Sequence, residues 1–182
     1  MTRRGPLRVW VFAYGSLIWD PGFQVAESCV ARLPGWHRSF CMRSVHHRGT
    51  AEAPGLVLAL DQMPGAVCHG LALRVQPGAE AATLDMLRAR ELVSSAYLER
   101  TLPVNLTDGR EVAALAYVID PGHVQYCRLT LDEQAGIIAK AIGGRGRNRD
   151  YLDATARHLA ELGIADPDLD RLATSVAGLP HM

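Results

Sequence analysis

Residues 9–17 read VWVFAYGSL, and the interpretation of the whole chain starts from this stretch. Its first part is β-branched and aromatic, which is typical of a buried strand. Gly15 and Ser16 then end the strand, because glycine admits backbone angles that other residues avoid. Such an ending predicts either a plain turn or an open loop whose backbone N–H groups hold a carboxylate or a developing oxyanion.

The composition is that of an ordinary globular protein. The chain has 182 residues, of which 48% are hydrophobic and 21% are charged, so we expect one domain over residues 1–182 with its core at about 9–176. The 19 basic and 19 acidic residues cancel, which argues against bulk attraction to nucleic acid or to a membrane. The four cysteines form no C-x-x-C pair, and we expect reduced thiols in a cytoplasmic protein without a metal site.

Hydrophobic patterning places the strands early and the helices late. Strands are predicted at 9–14, 25–33, 38–43, 56–60, 67–75, 98–106 and 112–119, with an ordered loop at 46–54 and hairpin turns at Met63-Pro64-Gly65 and Asp108-Gly109. Helices are predicted at 81–92, 131–142, 148–162 and 168–176. This order indicates an α+β fold rather than alternating βαβ units.

The first predicted helix carries an acid on its apolar face. Ala81, Leu84, Leu87 and Glu91 fall on one side of the helix. Because an unpaired buried carboxylate is costly, a cleft position would make Glu91 a plausible general base. A structural ion pair with Arg88 or another arginine is the alternative.

Two basic segments have more than one interpretation. Residues 42–50 contain Arg43 and Arg48, which either bind an acidic substrate or lie on an exposed loop. Residues 143–148 read GGRGRN, which suggests a phosphate site but lacks the lysine and hydroxyl of a P-loop. We therefore favour a helix stop followed by Asn148 as the N-cap of the next helix. Neither Ser16 nor Cys41 has histidine spacing typical of a nucleophile.

Taken in order, these segments resemble the ChaC family of γ-glutamylcyclotransferases. The matching pieces are VFAYGSLIW at 11–19, PGWHRSF at 34–40, HRGT at 47–50, PGLVL at 54–58, RE at 90–91 with a tyrosine at 97, GRN at 146–148 and DYL at 150–152. The match covers roughly residues 9–175. Ala13 replaces a glycine of many members, and Ser94-Ser95-Ala96 replaces a stretch that contains glycine in many members.

The resemblance implies a compact mixed β-barrel with flanking helices, and an enzyme that needs no metal or organic cofactor. The implied reaction cyclises the γ-glutamyl group of glutathione and releases 5-oxoproline and cysteinylglycine, with Glu91 as the catalytic residue. The implied grip on the γ-glutamyl group comes from the loop, namely Val11, Phe12, Tyr14, Gly15, Ser16 and Leu17. Arg43 and Arg48 are further candidates for substrate contact. Tyr117 is a candidate for orienting Glu91, with a packed core tyrosine as the alternative.

Two other functions stay open at this point. One is a cyclotransferase for other γ-glutamyl amino acids or amines. The other is a non-enzymatic binding module linked to cation transport, as the historical name of the family suggests.

Overall fold

The computed structural model describes residues 7–181, and residues 1–6 and 182 of the expected domain lie outside the described residues. The strands are β1 Trp10–Ala13, β2 Val25–Ser44, β3 Gly55–Val75, β4 Tyr97–Leu106, β5 Glu111–Ile119, β6 Ile142–Gly143 and β7 Gly146–Arg147. The helices are α1 Glu80–Glu91, α2 Leu131–Lys140, α3 Asn148–Glu161 and α4 Pro167–Ala177, and a 3₁₀ turn covers Ser16–Ile18. In this described part, no helix has both the length and the apolarity that crossing a membrane requires.

The five longer strands form a closed barrel in the order β1-β3-β2-β4-β5. Strand β1 is antiparallel to β3, with Trp10 opposite Arg74, and parallel to β5, with Trp10 opposite Ala114. The sheet is therefore mixed, and the predicted α+β barrel with helices is confirmed.

The chain divides into two compact units. The first comprises Met1–His37 and Gln62–Val118, and the second comprises Arg38–Asp61 and Ile119–Met182. Strands β2 and β3 run through both units. The single-domain organisation stays a prediction.

The prediction of interrupted strands at Pro34-Gly35 and at Met63-Pro64-Gly65 was wrong. Each of these segments lies inside one continuous strand, β2 or β3, and the predicted hairpin at 63–65 does not form. Gly35 and Gly65 both have φ of +85°, a conformation typical of a glycine bulge. The Pro-Gly pairs therefore bend the strands instead of ending them. The hairpin at Asp108-Gly109 is confirmed, with Gly109 at φ +95°.

The core of the first unit is apolar and includes one tyrosine. Its buried members come from strands β1, β3 and β5, from the residue before β1, from the loop after β1 and from α1. They are Val9, Val11, Ala13, Leu17, Leu71, Leu73, Val75, Leu87 and Tyr117. Burial of this surface is the main favourable contribution to folding. The core thus joins the end of β1 to the helix that carries Glu91.

Helix α1 confirms the predicted segment but buries a slightly different face. Thr83 and Leu87 are buried and Leu84 is partly buried, whereas Ala81 is exposed. Glu91 follows Leu87 by four residues, one turn along the same side. The expected placement of the acid beside the apolar face therefore holds.

The second unit contains the three later helices, close to their predicted bounds. Thr130 forms a capping box with Glu133 at the start of α2. Asp166 caps α4, whose first residue is Pro167. The buried guanidinium of Arg38 donates to the Asp166 carboxylate at 2.7 Å, which ties the start of α4 to strand β2.

The expectation that Asn148 caps helix α3 was wrong. Asn148 is the first residue of α3, Arg147 takes the cap position, and no side-chain cap bond forms. The fully buried Asn148 amide instead accepts from Leu56 N at 2.7 Å and donates to Leu56 O at 2.8 Å. The side chain pairs with strand β3 as another strand would, because its amide has both a donor and an acceptor.

We expect Asn148→Ala to lower the free energy of unfolding by about 2–4 kcal/mol, because Leu56 N–H and C=O would lose their partners in a buried place. Denaturant unfolding measures the loss. Arg147→Ala is the matched control, since the neighbouring side chain is exposed. A loss below about 1 kcal/mol for Asn148→Ala would show that the two Asn148–Leu56 hydrogen bonds do not stabilise the fold in this way.

Candidate active site

The loop after β1 forms a tight, anchored turn. The Tyr14 hydroxyl donates to the Tyr117 backbone oxygen at 2.8 Å, which fixes the end of β1 to β5. The 3₁₀ turn Ser16–Ile18 follows, and Ile18 N–H donates to Gly15 O at 3.0 Å. The first N–H groups of a helical turn have no acceptor within that turn. The loop therefore offers backbone donors at Ser16 and Leu17.

Arg90 connects this loop to helix α1. Its Nη2 donates to Ser16 Oγ at 3.2 Å, and its Nη1 donates to the backbone oxygen of Asp20 at 2.7 Å. Gly22 lies close by, where an added Cβ would stand 3.5 Å from Arg90 Nη1. The loop therefore wraps around the guanidinium, and the residue after Arg90 is Glu91.

Glu91 is the last residue of α1, and its side chain is 17% exposed. One carboxylate oxygen lies 3.4 Å from Arg90 Nε. The C-terminal end of a helix carries partial negative charge, which opposes a second negative charge there. The structure thus brings the predicted acid and the predicted loop together, joined by one arginine.

Tyr117 packs in the core of the first unit, with only its hydroxyl in a polar setting. The ring is 1% exposed, and the hydroxyl donates to Glu99 Oε2 at 3.1 Å. Burial raises the pKa of Tyr117 well above its usual value, and the charges of Glu99 and Glu91 raise it further. Tyr117 therefore keeps its hydroxyl hydrogen at neutral pH.

Arg88 holds Glu99 with two hydrogen bonds. Arg88 Nε donates to Oε2 at 3.1 Å and Nη2 donates to Oε1 at 3.0 Å. This pairing is the main reason that the pKa of Glu99 lies below its usual value. The guanidinium that the sequence offered as a partner for Glu91 is thus engaged with Glu99.

The other predicted loop residues serve the core through their side chains. Val11 and Phe12 are fully buried, Tyr14 is 8% exposed, and Leu17 is 6% exposed. A role for Val11 and Phe12 in holding substrate would have to come from the backbone. That role stays a prediction.

Arg43 and Arg48 belong to the second unit. The Arg43 backbone pairs with Gln125, donating from N to the Gln125 oxygen at 2.8 Å. The Arg48 guanidinium lies 5.4 Å from the centre of the Tyr151 ring and donates to the Arg147 oxygen at 3.1 Å. Arg48 thus has a packing role within its own unit, and its contact with substrate stays a prediction.

Sequence reasoning missed the roles of Arg90 and Glu99. Nothing local marks Arg90, because both of its acceptors come from a segment about 70 residues away. Glu99 had a usable signal. Leu106 N–H donates to Arg110 O at the hairpin turn. Counting the same number of residues away from this pair, along β4 and along β5, places Glu99 opposite Tyr117. Across residues 7–181, no group of three histidine, cysteine, aspartate or glutamate side chains could hold a metal ion.

The sequence profile described as "ChaC-like protein" matches residues 9–179. The chain belongs to the ChaC-like family. A glutathione-specific γ-glutamylcyclotransferase of Escherichia coli (strain K12) is 40% identical over 172 residues, covering 94% of this chain and 74% of the relative. A glutathione-specific γ-glutamylcyclotransferase 1 of Danio rerio is 32% identical over 169 residues, covering 91% of this chain and 85% of the relative.

A solved structure shares the fold of this ChaC-like chain. It is a γ-glutamyl cyclotransferase specific to glutathione from yeast, and it superposes with a TM-score of 0.86 at 24% identity. The superposition covers 96% of this chain and 97% of that one. The fold of the chain is therefore that of the yeast protein.

The loop after α1 contains Ser94-Ser95-Ala96. In the described residues 7–181, Ser95 is the one non-glycine residue with positive φ, at 58°. This left-handed conformation is costly for residues with a Cβ. Ser95 therefore stands where the backbone favours glycine.

We expect Ser95→Gly to raise the free energy of unfolding by about 0.5–1 kcal/mol, because relief of the left-handed strain exceeds the added freedom of the unfolded chain. Ser94→Gly is the matched control and should destabilise, since Ser94 Oγ accepts from Ala96 N–H. Thermal or denaturant unfolding of both variants compares the two positions. Equal destabilisation by both would contradict the strain at Ser95.

Proposed function

We propose that this chain is a glutathione-specific γ-glutamylcyclotransferase that releases 5-oxoproline and cysteinylglycine, with Glu91 as general base and then general acid. Membership of the ChaC-like family and the names of the relatives support this activity. The observation that carries the site assignment is the pair of hydrogen bonds from Arg90 to the loop. Because Arg90 Nε also lies 3.4 Å from a Glu91 carboxylate oxygen, these bonds support a site in which Glu91 acts beside the backbone donors of the turn.

The first step is attack of the substrate's α-amine on its own γ-carbonyl carbon. The amine must be neutral to attack. As its nitrogen bonds to the carbonyl carbon, Glu91 takes one of its two hydrogens as a proton, and the other stays on the ring nitrogen. A new C–N bond closes a five-membered ring, and the carbonyl oxygen gains negative charge. Because both reacting groups belong to one substrate molecule, the protein needs only to select the folded conformer.

The loop after β1 receives the negative charges of the substrate. The N–H groups at Ser16 and Leu17 hold the α-carboxylate or the developing oxyanion. Backbone donors suit this task because they are fixed before the reaction, here by the bonds of Tyr14 and Arg90. Val11, Phe12, Tyr14 and Gly15 shape this turn.

The second step breaks the original amide bond. The oxyanion collapses, the C–N bond to cysteinylglycine breaks, and protonated Glu91 gives its proton to the departing nitrogen. One carboxyl group serves both steps because they follow one another. No group outside the protein and substrate is needed for the balance of atoms and charge.

The substrate range and the location are parts of the same proposal. Arg43 and Arg48 stay candidates for substrate contact, because arginine pairs well with carboxylates. A panel of γ-glutamyl amino acids and amines, compared with glutathione by kcat/KM, tests the specificity. The four cysteines form no disulfide, which fits the cytoplasmic location proposed from the composition.

We expect Glu91→Gln to lower 5-oxoproline formation from glutathione by about 10²–10⁴-fold, because the amide keeps the shape and cannot accept the proton. Chromatographic detection of 5-oxoproline measures the rate. Asp85→Asn is the matched control, since Asp85 is an exposed acid on the same helix. Parent activity in a folded Glu91→Gln variant would refute the assignment.

We expect Ser16→Ala to lower kcat/KM only about 3–30-fold, because the backbone donors remain and one bond to Arg90 is lost. Steady-state kinetics with glutathione measures the change. A serine nucleophile would instead predict loss of nearly all activity, together with a covalent adduct visible by mass spectrometry. Either of these results would overturn backbone holding by the loop.

A further inference from the structure

The Tyr117 hydroxyl lies under the influence of two carboxylates that differ in their surroundings. It donates to Glu99 Oε2 at 3.1 Å, and the charge of Glu91 contributes to its raised pKa. The Tyr117 ring packs in the same core as Leu17 of the loop and Leu87 of α1. Glu99 is held by two bonds from Arg88, and one Glu91 carboxylate oxygen lies 3.4 Å from Arg90 Nε. Each acid is therefore next to a different arginine of α1.

Helix α1 carries both the proposed base and the group that fixes the second acid. Arg88 precedes Glu91 by three residues, so the two lie one turn apart on α1. The paired guanidinium keeps Glu99 ionised, as its lowered pKa indicates. Glu99 is thus a lasting acceptor for the Tyr117 hydrogen under the conditions in which Glu91 gains and loses a proton.

A phenol has one hydrogen to donate and two lone pairs that accept. With that hydrogen engaged by Glu99, the Tyr117 oxygen can only accept from a third group. We propose that Glu99 is a positioning residue that orients the Tyr117 hydroxyl as an acceptor for the α-amine of the γ-glutamyl group. This inference rests on the function proposed above.

The orientation has two consequences for the reaction. An amine N–H held by Tyr117 and another facing Glu91 leave the nitrogen lone pair directed at the γ-carbonyl carbon. The Tyr117 hydrogen is also kept away from Glu91, where a hydrogen bond to the charged form would make that carboxylate less basic. Glu99 therefore supports both substrate orientation and the basicity of Glu91, without touching the reacting atoms.

We expect Glu99→Gln to lower kcat/KM for glutathione about tenfold, because the charged acceptor of the Tyr117 hydrogen is lost. Loss of the negative charge also leaves the Arg88 charge unbalanced, so the acid limb of the kcat/KM profile moves down by about half a pH unit. Arg88→Gln removes the positive charge instead, and we expect its acid limb to move up. A merely structural role would not produce shifts of opposite sign.

A double-mutant cycle with Tyr117→Phe tests whether Glu99 acts through the hydroxyl. We expect Glu99→Gln to cost less than about twofold in kcat/KM when Phe already stands at position 117. The matched control is Glu27→Gln, which breaks ion pairs with Arg74 and Arg110 in the same unit but has no tyrosine partner. It should keep the parent profile.

Two results would overturn the inference. One is a tenfold loss from Glu99→Gln that persists in the Tyr117→Phe background, and the other is a Glu99→Gln variant that behaves like Glu27→Gln. If Glu99→Gln does not fold, Arg88→Gln tests the same series of hydrogen bonds, since Arg88 is half exposed and its replacement should be tolerated. If either result is found and Glu91→Gln is inactive, the role of Glu99 is refuted and the proposed function stands. If Glu91→Gln is active, the proposed function itself is refuted.

Discussion

The guanidinium of Arg90 joins two segments that are far apart along the chain. It donates to Ser16 Oγ and to the Asp20 backbone oxygen, so the loop after β1 is closed around the end of helix α1. Gly22 has φ of +75°, a left-handed conformation that glycine adopts without the cost paid by other residues. Glu91 follows Arg90 directly, and its position relative to the loop is therefore set by the arginine rather than by the loop itself.

Arg88 and Arg90, two residues apart on helix α1, contact different acids. Arg88 binds Glu99 through both carboxylate oxygens, and Glu99 in turn accepts from Tyr117. Arg90 uses its two terminal nitrogens on the loop and meets Glu91 through Nε. Two arginines on one helix turn thus have different partners. The pKa of the buried Tyr117 hydroxyl is raised by burial and, to a smaller extent, by the charges of Glu99 and Glu91.

The second unit shows how a motif that suggests a ligand can serve the backbone instead. The Asn148 amide pairs with Leu56, and the Gly143 backbone lies so close to Gly49 that an added Cβ would stand 2.4 Å from its nitrogen. Helix α3 therefore packs on strand β3 through the GRN segment. A Gly-rich, basic segment before a helix resembles a phosphate loop in sequence, but here its conformation is fixed by strand and loop neighbours.

The sequence by itself determined the class of fold, the four helices, the Asp108-Gly109 hairpin and the acid on α1, because these depend on periodicity and on turn residues within short segments. It was wrong at Pro34-Gly35 and Met63-Pro64-Gly65, since whether a Pro-Gly pair ends a strand or bends it depends on the neighbouring strands. It was wrong at Asn148, where a distant strand outcompeted the local cap. Only the tertiary structure decided that Arg88 binds Glu99, that Arg90 binds the loop, and that Tyr117 donates to Glu99. Those partners are distant in sequence, and a charged side chain carries no local mark of which distant group it will meet.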